Sequence, residues 1–203
     1  ARTVVPTLIR GTVANPAEWK QVVLFEFGTS TCTGTVVGPR TVISAAHCFK
    51  ANETVNFKTD GKTFTGKVTQ HNLYPAKDID LAIVVTTEDI TGVTPQKIGG
   101  TAELSKEVTM LGYGCTEFPA PATPDNILRI GKSTTIGYSG FKVATRTPGG
   151  VALCFGDDGG PLLLGTTNAP LLIGVSSLGN KKDTNYHTRL DRTEAQTFLK
   201  DQA

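Results

Sequence analysis

The stretch Cys154-Phe155-Gly156-Asp157-Asp158-Gly159-Gly160-Pro161 sets two adjacent carboxylates among three glycines and closes on a proline. It is neither regular helix nor central strand, because glycine admits positive φ and close backbone approach while proline lacks an N–H. A turn of this kind can aim successive N–H groups at one point, which is how backbone donors stabilise a developing oxyanion. By composition alone it is a tight surface turn with solvated aspartates. Two stretches far upstream argue for chemistry instead: Thr41-Val42-Ile43-Ser44-Ala45-Ala46-His47-Cys48 and Lys77-Asp78-Ile79-Asp80-Leu81-Ala82-Ile83. A histidine can take the proton of a hydroxyl nucleophile, and a carboxylate behind it fixes the tautomer.

The three stretches together resemble the trypsin/chymotrypsin-like serine proteases, from Ile9 to about Leu199. The resemblance implies two antiparallel Greek-key β-barrels around a central cleft, with peptide or protein substrates. It makes His47 the general base and Asp78 the buried carboxylate that orients it, with Ser177 bonded to that acid. Asp80 is the rival, since both carboxylates would point to one side of a strand; the motif register favours Asp78 and leaves Asp80 as a structural or rim carboxylate. Gly156 and Asp158 would supply the oxyanion-hole N–H groups. The family turn reads Gly-Asp-Ser-Gly-Gly-Pro, and here Asp158 stands where the nucleophilic serine belongs.

That substitution dominates the functional expectation. A carboxylate offers His47 no proton, and its attack on a peptide would give an anhydride that reverts faster than an amine leaves. His47 is therefore expected between two acids, Asp78 and Asp158, held as imidazolium with a raised pKa. The chain as written reads as an inactive serine endopeptidase, engineered or naturally variant. The alternative is a natural pseudoprotease that binds a peptide or protein without cutting it.

The resemblance also implies a substrate pocket. Ala152 holds the position where trypsin carries its acid, which argues against basic specificity. Asn185 and His187 form the lower wall or satisfy one another, and Phe155, Leu178 and Gly179 belong to the substrate-binding edge. Ile9-Arg10-Gly11-Thr12 resembles the start exposed by activation, whose ammonium would pair with Asp157. Leu8 in place of a basic residue makes that cleavage doubtful, so Ala1–Leu8 is a propeptide-like or disordered lead, and either Asp157 finds another partner or the chain is zymogen-like.

Four cysteines permit three pairings, or buried thiols. The family pattern implies Cys32–Cys48, leaving Cys115–Cys154. Disulfides imply an oxidising compartment: secreted, periplasmic or cell-surface. The net charge of +2 is dispersed, with no basic-aromatic cluster for nucleic acid. No apolar run reaches the roughly 20 residues that a membrane-spanning helix needs. His47, His71 and His187 lie too far apart for a metal motif, and neither metal nor cofactor is expected. A monomer is expected.

Short runs rich in Val, Ile, Thr and Phe, broken by Gly, Pro, Asn or Asp, predict an all-β chain. The strands expected are Val22–Phe27, 35–37, 41–43, 55–57, 64–68, 79–85, 108–112, 127–136, 142–145, 161–164 and 170–175. They divide into barrel one at about 22–90, a linker at about 91–106 and barrel two at about 107–190, all within a peptidase domain over 9–203. The run from Phe118 to Pro124 reads as exposed irregular chain. Asp191 and Glu194 have the spacing of a capping box for a C-terminal helix over about 192–201.

Overall fold

The computed structural model describes residues 7–28, 30–116, 125–165 and 168–202; the Phe118–Pro124 run and the first six residues lie outside them. Two antiparallel barrels account for nearly all of the regular structure. The first uses β2 (Val22–Phe27), β3 (Ser30–Gly38), β4 (Thr41–Ser44), β5 (Thr54–Thr59), β6 (Lys62–Gln70) and β7 (Ala82–Thr86), closed in the order β2-β3-β4-β7-β6-β5. On β5 and β6 alternation turns Val55, Phe57, Phe64 and Val68 inward between more exposed neighbours, while β2, β3 and β4 are largely continuous buried runs.

The second barrel uses β8 (Glu107–Gly112), β9 (Arg129–Ser139), β10 (Lys142–Arg146), β11 (Pro161–Leu164), β12 (Leu171–Gly179) and β13 (Thr184–Arg189). A short β1 (Thr12–Val13) adds to its rim against β9, and the β8–β9 pairing closes it. The β13 sequence, Thr-Asn-Tyr-His-Thr-Arg, has no apolar alternation, yet Asn185, His187 and Thr188 are fully buried.

Between the barrels lies a shared core that includes Ile43, Leu81, Ile83, Leu111 and Val175. The C-terminal helix, Thr193–Gln202, adds Ala195 and Phe198 to it. The expected capping box does not form as drawn. Asp191 turns back to Arg189 at 2.8 and 3.0 Å and accepts the Ala102 N–H at 3.1 Å, because a buried carboxylate gains more from a bidentate guanidinium than from one helix N–H.

The lead is tied down at its end. Leu8 is fully buried with Val143, Val151 and Leu153, and Leu8 and Arg10 both have left-handed backbone, φ 43 and 67. Both disulfides are present, Cys32–Cys48 and Cys115–Cys154. Loops of 16 and 39 residues would each gain about 3–4 kcal/mol from closure.

Packing at the second barrel is tight enough to predict a mutational result. A Cβ on Gly131 of β9 would collide with a Val151 methyl. Gly131→Ala should lower stability by about 1–3 kcal/mol through overpacking, measurable as a shift of the urea midpoint at unchanged m. Gly137→Ala on the same strand, with nothing within 4 Å of the new methyl, should change it little.

Candidate active site

His47 sits in a single 3-10 turn, Ala46–Cys48, that follows β4 and is anchored to β3 by the Cys32–Cys48 bridge. The carboxylate behind it is Asp80. Asp80 Oδ2 lies 2.5 Å from His47 Nδ1, Oδ1 accepts the His47 backbone N–H at 2.8 Å, and Ser177 Oγ donates to Oδ2 at 2.6 Å. Asp78, expected in that place, is elsewhere: its side chain is 69% exposed and meets Lys142 Nζ at 2.6 Å.

The reason lies in the backbone. The two aspartates are not on a strand, because β7 begins only at Ala82. Asp78 closes a turn with its N–H on the Pro75 carbonyl and its φ at 54. A left-handed residue breaks the alternation that would have put both carboxylates on one side. A readable signal was present: Asp80 lies between Ile79 and Leu81, both fully buried, whereas Asp78 follows Lys77.

The glycine turn is pinned against β3. Thr33 of β3 stitches it down, donating its hydroxyl to the Gly156 carbonyl at 2.7 Å and its N–H to the Asp158 carbonyl at 2.9 Å. Gly159, at φ 89, lies so close to Ser44 Oγ and the Thr33 carbonyl that a side chain has no room. Gly156 is also left-handed, at φ 102. Neither the Gly156 nor the Asp158 N–H is accepted by any described residue.

Asp158 turns its carboxylate to the histidine, with Oδ2 3.1 Å from His47 Nε2. His47 thus bridges two acids, as expected, with Asp80 replacing Asp78 as the inner one. Burial disfavours the imidazolium, but hydrogen bonds and charge from Asp158 and Asp80 outweigh it and push the pKa up to about 10. A folded value above the unfolded value of about 6.5 means that this stabilisation is complete below about 6.5 and lost as pH climbs through about 10. NMR titration of the His47 ring should find it still protonated at pH 8; a midpoint near 6.5 would contradict the bridge. Asp158→Asn should lower the midpoint.

Asp157 is buried beneath the turn. Its carboxylate accepts the Gly114 and Cys154 N–H groups, both at 2.8 Å, in space left by the missing side chains of Gly112 and Gly114. Burial, opposed by those two bonds, raises its pKa to about 8. The expected pairing with an ammonium at Ile9 is not made. With Leu8 attached, the Ile9 nitrogen is an amide, and Ile9 instead bridges Ala152, whose N–H donates to the Ile9 carbonyl at 2.9 Å.

The residues assigned to the substrate pocket divide into two groups. Phe155 and Leu178 are exposed apolar side chains at the mouth, with Lys181 Nζ 4.5 Å above the Phe155 ring. Ala152, Asn185 and His187 have no exposure at all. The buried Asn185 amide accepts the Leu153 N–H at 2.7 Å and donates to the Val151 carbonyl at 3.1 Å. His187 does not bond Asn185 directly; Thr145 Oγ1 lies between them, 2.9 Å from His187 Nε2 and 3.4 Å from Asn185 Nδ2. Burial pushes the His187 pKa down to about 3, so its ring is neutral. A Cβ on Gly179 would already meet Asn185 Oδ1 at 3.1 Å.

The geometry coincides with a sequence finding. A family model described as Trypsin matches residues 8–196. The chain belongs to the trypsin family. Peptides and proteins are therefore the substrate class of its relatives, and two barrels with a His-carboxylate pair between them are the family scaffold. The two disulfides are consistent with an oxidising, extracellular compartment, and no helix of the described residues is long and apolar enough to cross a membrane. Among the described residues, no cluster of His, Cys, Asp and Glu could hold a metal ion.

Proposed function

We propose that this trypsin-family chain does not hydrolyse peptide bonds and that its cleft serves to bind an extended peptide or protein segment. The observation that carries the reading is the 3.1 Å contact between Asp158 Oδ2 and His47 Nε2. A hydroxyl nucleophile in that place would hand its proton to Nε2. A carboxylate accepts a proton from it instead, so the base is already occupied and no acyl intermediate accumulates.

The interior of the pocket favours the binding reading over a merely disabled protease. Reverting one nucleophile would leave Asn185 fully buried and hydrogen-bonded to Leu153, Val151 and Thr145. What stays open is the rim: exposed Phe155 and Leu178, and the Ser177–Gly179 end of β12, which runs on past its β11 partner at Val175. Backbone pairing to such an edge gives affinity, with side-chain pockets adding selectivity.

The test compares the purified chain with its His47→Ala variant on a fluorogenic peptide library and on casein. Equal, background rates are expected. Turnover that disappears with His47 would refute the reading. Panning of random extended peptides should in parallel yield binders whose affinity falls at least about tenfold on Leu178→Asp.

A further inference from the structure

Asp158 is a carboxylate held open to solvent and pointed at a protonated imidazole. Its side chain is 21% exposed and that of His47 35% exposed, so a small molecule can reach both. Oδ2 takes the Nε2 hydrogen bond, and Oδ1 has no donor among the described residues. Toward a carbonyl carbon this oxygen is futile, because the anhydride collapses back. Toward a strained sp3 carbon the product is an ester, which is stable to the leaving oxygen.

We propose that Asp158 is a nucleophile toward small epoxides, with His47 as the proton donor and Asp80 as the residue that positions the ring. A lone pair of Asp158 Oδ1 forms a bond to the less hindered ring carbon, and that carbon's bond to the epoxide oxygen breaks. The electron pair stays on the oxygen, which takes the proton from His47 Nε2. The product is a hydroxyalkyl ester of Asp158 beside a neutral imidazole. Loss of the Asp158 charge removes one of the two anions that kept His47 protonated, so the ring can then accept a proton from water. Water attacking the ester carbonyl carbon releases a diol and restores both the Asp158 carboxylate and the imidazolium.

Three features select the electrophile. The leaving oxygen of an epoxide needs a proton, and the imidazolium is the group that can give it; a halide would have no such need. The closed interior around Asn185 and Ala152 admits no large substituent, which limits the substrate to what fits at the open mouth. The exposed Phe155 and Leu178 offer apolar contact to a short alkyl chain there. None of this requires the cleft to hold a peptide.

The experiment incubates the full chain with glycidol in 18O-water and follows it by intact mass, peptide mapping and glycerol release. The expected result is an adduct on Asp158 formed at least about tenfold faster than on the exposed carboxylates of Asp78 and Asp89. If the ester turns over, glycerol appears instead and 18O enters the Asp158 carboxylate. Both signals should vanish in Asp158→Asn and fall about 10²-fold in His47→Phe, with melting temperatures confirming that the variants fold. Alkylation of His47 Nε2 in place of Asp158 would overturn the proposal. So would labelling of Asp158 no faster than Asp78, or the absence of both adduct and diol.

Discussion

Asp158→Ser should raise the hydrolysis of small activated esters, such as p-nitrophenyl acetate, by at least about 10³-fold over the chain as it stands. The base and the carboxylate behind it are in place. Asp80 holds Nδ1 and the backbone of His47 through two bonds, Ser177 holds Asp80, and the turn presents Gly156 in the left-handed backbone that an oxyanion-facing N–H requires. Removing the Asp158 anion also removes one cause of the raised His47 pKa, so the ring becomes available as a base near neutral pH. Peptides should gain far less than esters, because a side chain must still displace the Asn185 amide from its bonds to Leu153 and Val151. Adding Asn185→Gly to Asp158→Ser should close part of that gap. A folded Asp158→Ser variant no faster on the ester than its own His47→Ala derivative would mean that the barrels no longer assemble a working base.

The barrels were legible because short runs rich in Val, Ile, Thr and Phe are broken by turn residues, and on β5 and β6 because buried and exposed residues alternate. Phe57 and Phe64 announce β5 and β6, and each expected run from Val22 to Val68 falls within an observed strand. The β13 strand was not legible as a strand, since a polar run is buried there by hydrogen bonds across the barrel rather than by apolar side chains. The place of His47 and both disulfide pairings followed from the family resemblance, whereas the cysteine count alone left three pairings open. The choice between Asp78 and Asp80 did not, because it turned on one left-handed residue and on the position where β7 begins. The burial of Asn185 depends on the β12–β13 register, which sets Gly179 opposite Asn185. Register between strands is a property of the closed barrel, and a single strand's sequence carries little of it.

The two aspartates can be separated by experiment, because the structure gives them different work. Asp80 is 2% exposed and accepts three hydrogen bonds, two from His47 and one from Ser177. Asp78 is exposed, but its partner Lys142 is buried and depends on it, with the Asp78 carbonyl at 3.1 Å as its one further acceptor among the described residues. Both Asp80→Asn and Asp78→Asn should therefore destabilise the fold, Asp78→Asn by about 1–3 kcal/mol through the ammonium left behind. Only Asp80→Asn should reach the histidine. It removes a hydrogen bond and a charge that raise the His47 pKa, so the ring's midpoint falls, whereas Asp78→Asn leaves it in place. In an Asp158→Ser background the contrast becomes catalytic. An amide behind the ring stabilises the wrong tautomer, at a cost of about 10⁴-fold in the triad reaction, enough to return ester hydrolysis to background. The same background with Asp78→Asn should retain its gain once the measurement is made below the lowered melting temperature. Loss of activity in the Asp78 variant, with Asp80→Asn harmless, would reverse the assignment of the inner carboxylate.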